Sequence, residues 1–498
     1  MTESNKQKAE ILQLEAIADN DPVLAIYLEF ASRDAEWKAH HTKKLLRKID
    51  LRLLPLLICM YLLNSLDRSN LAQAALGSLE EDLHMKGTDY NLATSILFVG
   101  YLLMQLPSNL LLTRVRPSVY LGTVMMCWGA VSAAQAASKT FSGLLACRFI
   151  LGVVEAPFFP GAIMLMSSWY TRAELSSRIA LFYAGNALAN MFGGLLSAGV
   201  LGNLDGSHGI AGWRWLFIIE GSLTVVVAFI AALILPNFPA ASKGFSEDER
   251  RFAQWRLVED AKEDDDTKAV SLREGLSLAV RDYRLYLFIL LQHLSLLTQS
   301  FTYFFPTIVN TLGYNRTITL LLTVPVWFAT FLVSLVVTWS SGRTGNRSFH
   351  IIGLLTLSCV GNIIMITTTA IGPRFFAMFL LPMGTIPAYQ IIVAWIANSF
   401  PRPLVKRSVA IAVANMIGNT ATIYGPYMYP ATDGPKYIAG GAAVAGVCFI
   451  SSILAYVLRL VHIRENKKLI EREDEMIEAA EVQPVDANTR RAGFRYVL

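Results

Sequence analysis

The stretch FSEDERRFAQWRLVEDAKEDDDTKAVS (245–271) decides how this chain is read. It is the charged centre of the longest polar interruption, residues 237–283, in a 498-residue sequence otherwise made of apolar runs. Six apolar stretches precede it, near 53–76, 91–113, 118–137, 141–168, 178–201 and 213–236. Six more follow, near 284–307, 318–340, 348–370, 375–398, 408–430 and 438–460. Each offers about 20 mostly apolar residues, the length an α-helix needs to cross the hydrocarbon core of a bilayer. The expected fold is an all-α membrane protein of twelve transmembrane helices in two six-helix halves. Its expected divisions are an N-terminal tail (1–52), a first half (53–236), a linker (237–283), a second half (284–460) and a C-terminal tail (461–498). Within the linker, Phe245, Phe252 and Trp255 recur at helical spacing and predict an amphipathic helix lying on the bundle.

Composition narrows the classes further. Hydrophobic residues make up 54% of the chain and charged residues 16%, with a mean hydropathy of +0.43. An ordinary soluble domain carries about 25% charge, so a chain of soluble domains is excluded. The apolar stretches do not alternate with polar residues, which excludes a β-barrel. The five cysteines (Cys59, Cys127, Cys147, Cys359, Cys448) form no CxxC pair and no metal-ligand spacing. No nucleophile–base pair, metal cluster or glycine-rich phosphate loop is present, so neither an enzyme nor an ATP-driven pump is expected, and no cofactor. Residues 1–52 lack the short apolar segment of a cleavable signal, and the first span is expected to target the chain.

The net charge of +5 is a matter of topology. With the N-terminus in the cytoplasm, 35 of the 43 Lys and Arg residues fall on the cytoplasmic side. Each of the six outer loops keeps one, and Arg68 and Arg148 lie inside spans. That asymmetry predicts cytoplasmic N- and C-termini and gives no reason to expect nucleic acid as a partner.

An ionised side chain at the membrane midplane costs about 2.5–3.5 kcal/mol on insertion scales and persists mainly where function supports it. Asp67 and Arg68 sit in the first span, Arg148 and Glu155 in the fourth, and Glu220 in the sixth. Arg148 and Glu155 are seven residues apart in RFILGVVEAPFFPGAIML (148–165), on one helix face about two turns from one another. They are too far apart to pair tightly, so each needs a partner on another helix, and Asp67 and Arg68 are the natural ones. Two acids and two bases together are neutral. Protonating one acid leaves an excess positive charge that favours a bound anion, which couples a proton to an anionic substrate. The plainer alternative is two ion bridges that hold the N-terminal helices together. Glu220, beside Trp213, Arg214 and Trp215, is expected to pair locally.

The second half has no Asp, Glu, Lys or Arg in the middle of a span. It offers neutral polar groups that either bond across helices or face a cavity: Gln292 and His293, Tyr389 and Gln390, Asn415 and Asn419. Tyr303 and Trp327 have rings able to stack on a planar substrate, but packing is the role expected of them. Kinks are expected at Pro157, Pro160 and Gly161, and at Gly425-Pro426.

Equal six-span halves about a charged loop are the trace of a duplicated transporter and point to the major facilitator architecture. The motifs sharpen this. RKIDLRLLPLLICMYLLNSLDRSNL (47–71) resembles the first-span signature of the fungal allantoate permease family, and RFILGVVEAPFFPG (148–161) its fourth-span motif. GYLLMQLPSNLLL (100–112), GWRWLFIIEG (212–221) and GNTATIYGPYMYPATDGPKY (418–437) are similar to that family in the same order, so the resemblance covers roughly 40–465. The family belongs to the anion:cation symporters. The resemblance implies proton-coupled movement of small carboxylates or similar anions, vitamins and ureides included. The protein is expected in the plasma membrane, as a monomer. It implies Asp67 and Glu155 as proton-linked acids and Arg68 and Arg148 as bases that bind the anion or partner the acids. His293, Gln390, Asn415 and Asn419 complete the expected substrate-binding set in the second half. The loop SGRTGNR (341–347) departs from the pattern, with Gly342 and Asn346 where acids are expected. The competing reading is an exporter of a secondary metabolite on the same fold.

Overall fold

The computed structural model describes residues 29–30, 33–112, 115–242, 244–262, 272–400, 404–479 and 496–498. In the first half, α1 (Ala35–Arg52) runs into α2 (Leu54–Ala74) as the first crossing. The second is α3 (Asp89–Leu112) and the third α4 (Pro117–Ala134). The fourth is made by α5 (Phe141–Glu155) and α6 (Phe158–Ser167), the fifth by α7 (Arg172–Asn203) and the sixth by α8 (Gly212–Ile234). The linker contributes α9 (Glu247–Lys262) and α10 (Leu272–Val280). In the second half, α11 (Tyr283–Leu297) and α12 (Phe305–Asn310) form the seventh crossing, followed by α13 (Arg316–Thr344), α14 (Arg347–Thr367) and α15 (Ile371–Ser399). The eleventh is α16 (Leu404–Asn419) with α17 (Ala421–Tyr424), and the last is α18 (Ile438–Ala479).

Among the described residues, ten crossings are long and apolar enough to span a membrane by length and hydropathy alone. The other two are α3 and the α16–α17 pair, and both line the central cavity with polar groups: Tyr90, Thr94 and Tyr101 on one, Asn415, Asn419 and Thr422 on the other. The fourth crossing breaks at Ala156-Pro157 because proline lacks the N–H that would continue the ladder. The eleventh gives way to a 3₁₀ turn over Gly425–Met428, at the second expected kink. Chain ends are set by side chains: a Thr171–Glu174 capping box opens α7, Asn315 accepts from the Ile318 amide at 2.8 Å to open α13, and Gly345 closes α13 with φ of 63°.

The packing repeats with an offset of six crossings. The first packs on the fifth as the seventh packs on the eleventh, the third on the sixth as the ninth on the twelfth, and the second on the fourth as the eighth on the tenth. Small residues let backbones meet. A Cβ at Gly152 of α5 would lie 1.9 Å from the Leu97 carbonyl oxygen of α3, and one at Gly384 of α15 2.4 Å from that of Leu354 on α14. Charges repeat as well. Asp50, at the foot of α2, accepts from Arg178 at 2.7 Å, and Asp282, at the foot of α11, accepts from Lys406 at 2.7 Å.

The end of the bundle carrying these bridges is called the linker face here, and the opposite end the far face. The linker forms a helix, α9, that starts after Phe245, so only Phe252 and Trp255 of the predicted spacing lie on it; Phe252 meets Trp37 of α1 and Phe30 ahead of α1 edge-on, each at 5.4 Å. Lys48 pairs with Glu249 at 2.5 Å, and Arg256 reaches the Glu174 carboxylate. The expected tail from 461 onward is in part a continuation of α18 to Ala479. Tyr496–Leu498 then seats against the linker face of the second half. The Val497 carbonyl accepts from Trp395 Nε1 at 2.9 Å, and Tyr496 stacks on His462 with ring centroids 5.4 Å apart.

Candidate functional site

A cavity of about 200 Å³ lies between the two halves. Its far-face end is sealed by contacts between the halves. Tyr90 donates to the Tyr303 carbonyl at 2.7 Å, Asn91 to the Pro426 carbonyl at 2.7 Å, and Arg316 pairs with Asp205 at 3.1 Å. Toward the linker face, Tyr61, Phe159, Tyr183 and Tyr389 bring aromatic rings from both halves to the cavity wall, with Tyr183 and Tyr389 6.2 Å apart between centroids. Along α2 this layer lies about 10 Å from Arg68, seven residues at 1.5 Å each.

The charged residues lie on the first-half side. Arg68 Nε donates to Glu155 Oε2 at 2.5 Å, with Glu155 fully buried and the Arg68 guanidinium 4.8 Å from the Tyr101 ring centroid. Arg148 lines the cavity, is 1% exposed, and its Nε and Nη2 have no hydrogen-bond partner among the described residues. The Phe217 ring centroid lies 6.0 Å from its guanidinium. A buried cation with two unused donors beside a cavity is a ready site for a carboxylate or similar anion. Arg68 lines the same cavity, so the Arg68–Glu155 bridge adjoins this site.

The expected foursome is therefore incomplete. Asp67 does not join Arg68 and Arg148. It faces away from the cavity and accepts from Ser132 Oγ at 2.6 Å, Thr224 Oγ1 at 3.0 Å and Trp128 Nε1 at 3.2 Å. Neighbouring residues on a helix point about 100° apart, so Asp67 and Arg68 cannot face the same groove. Glu220 does not pair locally: it is fully buried and neither carboxyl oxygen has a partner among the described residues.

On the second-half side, Gln390, Asn415 and Asn419 line the cavity as expected, and Tyr303 and Trp327, for which packing is the expected role, line it too. Asn419 Nδ2 donates to the Asn415 carbonyl at 2.7 Å, and Thr338 to Gln390 Oε1 at 3.3 Å. His293 does not line it. Its ring turns to the other side of α11, against the Tyr424 hydroxyl and the Ile417 carbonyl, the latter at 3.3 Å. Sequence reasoning missed Asn64, Asn186, Asn190 and Gln299, all cavity-lining amides. A signal for Asn190 was present: ALANMFG (187–193) on the fifth crossing and AVANMIG (412–418) on the eleventh are the same pattern in the two halves, aligning Asn190 with Asn415.

Comparison with known proteins agrees with this architecture. The sequence profile described as Major Facilitator Superfamily matches residues 57–426. The "MFS-type transporter cnsO" of Penicillium expansum is 34% identical, covering 89% of this chain and 88% of that protein. The "MFS-type transporter efuF" of Hormonema carpetanum is 35% identical over 79% of each. A protein of Agrobacterium vitis named "Putative tartrate transporter" is 31% identical, covering 83% of this chain and 94% of its own length. Among solved structures, a bacterial homolog of the human lysosomal transporter Spinster, inward-facing and occupied, superposes with a TM-score of 0.60 at 16% identity, covering 82% of this chain and 97% of that one.

Proposed function

Because the chain belongs to the Major Facilitator Superfamily, we propose that it is a proton-coupled symporter of a small organic anion, working by alternating access within the allantoate permease-like branch. The observation that carries this reading is Arg148, buried at the cavity with two unused N–H donors and the Arg68–Glu155 bridge beside it. The substrate's anionic group binds Arg148. The amides of Asn186, Asn190, Gln390, Asn415 and Asn419 meet its neutral polar groups, and Tyr303 and Trp327 flank it. The cavity is smaller than the roughly 300–1,000 Å³ of drug-sized pockets, which suits a small molecule.

Glu155 carries the proton. Protonation releases Arg68, so the site holds two free guanidinium groups and binds the anion more tightly. Loss of the proton restores the bridge and expels the anion. The coupling thus needs only that proton and anion favour the same state. The Lys and Arg distribution supports a cytoplasmic linker face, and with that orientation the sealed far face makes this the inward-facing state. Plasma-membrane residence and a monomeric unit complete the reading. The name of the Agrobacterium vitis relative supports a carboxylate.

The exporter alternative uses the same site with substrate and proton moving in opposite directions, and the loop 341–347, which lacks acids at Gly342 and Asn346, favours a gate that differs from the usual one. Proteoliposomes with an imposed pH gradient separate the readings. A panel of small monocarboxylates and dicarboxylates is offered on either side, for the wild type and Glu155→Gln. The symporter reading expects gradient-driven accumulation by the wild type, and in Glu155→Gln exchange without accumulation. Accumulation by Glu155→Gln would remove Glu155 from the coupling role, and movement only against the inward proton gradient would favour export.

A further inference from the structure

Behind α2, away from the cavity, the first half holds two carboxyl groups that the transport site does not use. Thr224 of α8 donates to Asp67 Oδ2 at 3.0 Å. Glu220 lies one turn earlier on the same helix, and residues four apart share a face, so Glu220 faces the same seam. Asp67 is its charged neighbour there. The seam is closed by backbone contact between α8 and α4: a Cβ at Gly221 would lie 2.5 Å from the Ala133 nitrogen and 2.7 Å from the Gly129 carbonyl oxygen. Both acids are fully buried. Their surroundings are unequal. Asp67 receives Ser132 Oγ, Thr224 Oγ1 and Trp128 Nε1, while Glu220 receives nothing among the described residues.

We propose that Asp67 and Glu220 form a dry carboxyl pair that holds one proton, with the proton on Glu220 and the negative charge on Asp67. An ionised carboxylate buried without donors is strongly disfavoured, and two neighbouring carboxylates do not both ionise. Three neutral donors fix the charge on Asp67, and the undonated Glu220 keeps the proton. The groups facing the pair do not neutralise it otherwise. From α5, Arg148 and Glu155 are within electrostatic reach of Asp67, and Phe217, three residues before Glu220, lies against the Arg148 guanidinium. From α4 come only Trp128 and Ser132. On α7, which packs on both α2 and α8, Arg178 is engaged with Asp50 at the linker face and Glu174 with Arg256. Arg68, next to Asp67 on α2, is held by Glu155.

What is new is the partner, Glu220, and the tie it makes between the pair's charge and the packing of α2; any effect on transport rests on the proton-coupled reading. A second proton arriving on Asp67 removes the negative charge that Arg148 and Glu155 sense through the bundle. It also loosens the three bonds tying α2 to α4 and α8. The pair would therefore set how readily α2, which carries Arg68, moves.

Infrared difference spectroscopy of the reconstituted full chain, titrated from mildly acid to mildly alkaline pH, reads the pair without a known substrate. The expected result is a protonated-carboxyl C=O band at neutral pH that disappears in Glu220→Gln. In Asp67→Asn that band should give way at lower pH, because the neighbouring negative charge is gone. Thr224→Val, which keeps the volume and removes one donor from Asp67, should shift the titration upward, and it serves if Glu220→Gln fails to fold. A band unchanged in Glu220→Gln, or a titration unmoved in both Asp67→Asn and Thr224→Val, overturns the pair. These outcomes are independent of the coupling assay: accumulation that survives Glu155→Gln strikes the symporter reading and leaves the pair standing.

Discussion

Arg148 shows what one residue contributes and how much of it the sequence discloses. Its Nε and Nη2 are buried without a hydrogen-bond partner among the described residues, and in the proposed reading the substrate anion completes them. A hydrogen bond to a charged group is worth about 1.5–3 kcal/mol, so Arg148→Gln should weaken anion binding roughly ten- to hundredfold. Arg148→Lys should fall between, because a lysine keeps the charge and loses the fork. Ligand-dependent thermal shifts with the carboxylates found in the uptake panel measure both, and equal shifts in wild type and Arg148→Gln would remove Arg148 from the site. That Arg148, Arg68 and Glu155 matter was legible in the sequence, because charge inside an apolar run is conspicuous. Which way each points was not. Asp67 and Arg68 are adjacent in the chain and face different seams, and His293 turns away from the cavity by the same helical geometry. Neutral amides such as Asn64 and Asn186 carry no comparable signal, since an asparagine within a span serves interhelical bonding as often as a cavity.

At the scale of elements, apolar length, proline and glycine made the crossings and the two kinks legible. The partners of each helix were not, because packing pairs depend on side chains distant in sequence. The linker helix is the clearest case: spacing gave a helix carrying Phe252 and Trp255, and only the fold gives α1 as what covers it. The foot of α11 offers a test of one such pairing. Burial pushes the Asp282 carboxyl up, but hydrogen bonds and charge from Arg284 and Lys406 outweigh it and hold the group at about 2, below its ordinary 3.8. A carboxyl depressed in the folded state stabilises above its ordinary value, and that contribution is lost as pH falls through the folded one. Asp282→Asn should therefore melt at a lower temperature than wild type at neutral pH. The gap should close as pH falls from about 4 toward 2. Melting curves of the detergent-solubilised proteins across that range decide it, and a gap independent of pH would mean that Asp282 acts as a helix cap alone.

The whole molecule is two half-bundles that meet at the far face and enclose the cavity beneath it. The seam is made by the second crossing with the eleventh and the fifth with the eighth, the two pairs that the six-crossing repeat exchanges. Alternating access requires this far seam to open. The fifth and eighth crossings also meet at their far ends, where a Cβ on Gly202 would lie 3.1 Å from Thr317 Oγ1. Oγ1 stands near where the sulfur of a cysteine at 317 would sit, one bond from Cβ, which puts the pair within the reach of a disulfide, whose Cβ atoms sit about 3.5–4.5 Å apart. Gly202 is exposed and Thr317 partly so, so an oxidant reaches the pair and the change leaves the core intact. Gly202→Cys with Thr317→Cys should bond under oxidation, stop turnover, and recover on reduction, while each single variant transports as wild type. The locked protein should still bind a carboxylate offered from the linker face, because Arg148 and the amide walls are untouched, and a thiol reagent applied to that face should still reach a cysteine placed at Asn190. Continued transport by the fully bonded protein would show that the far seam does not part, and the two halves would then have to pass their cargo by another route.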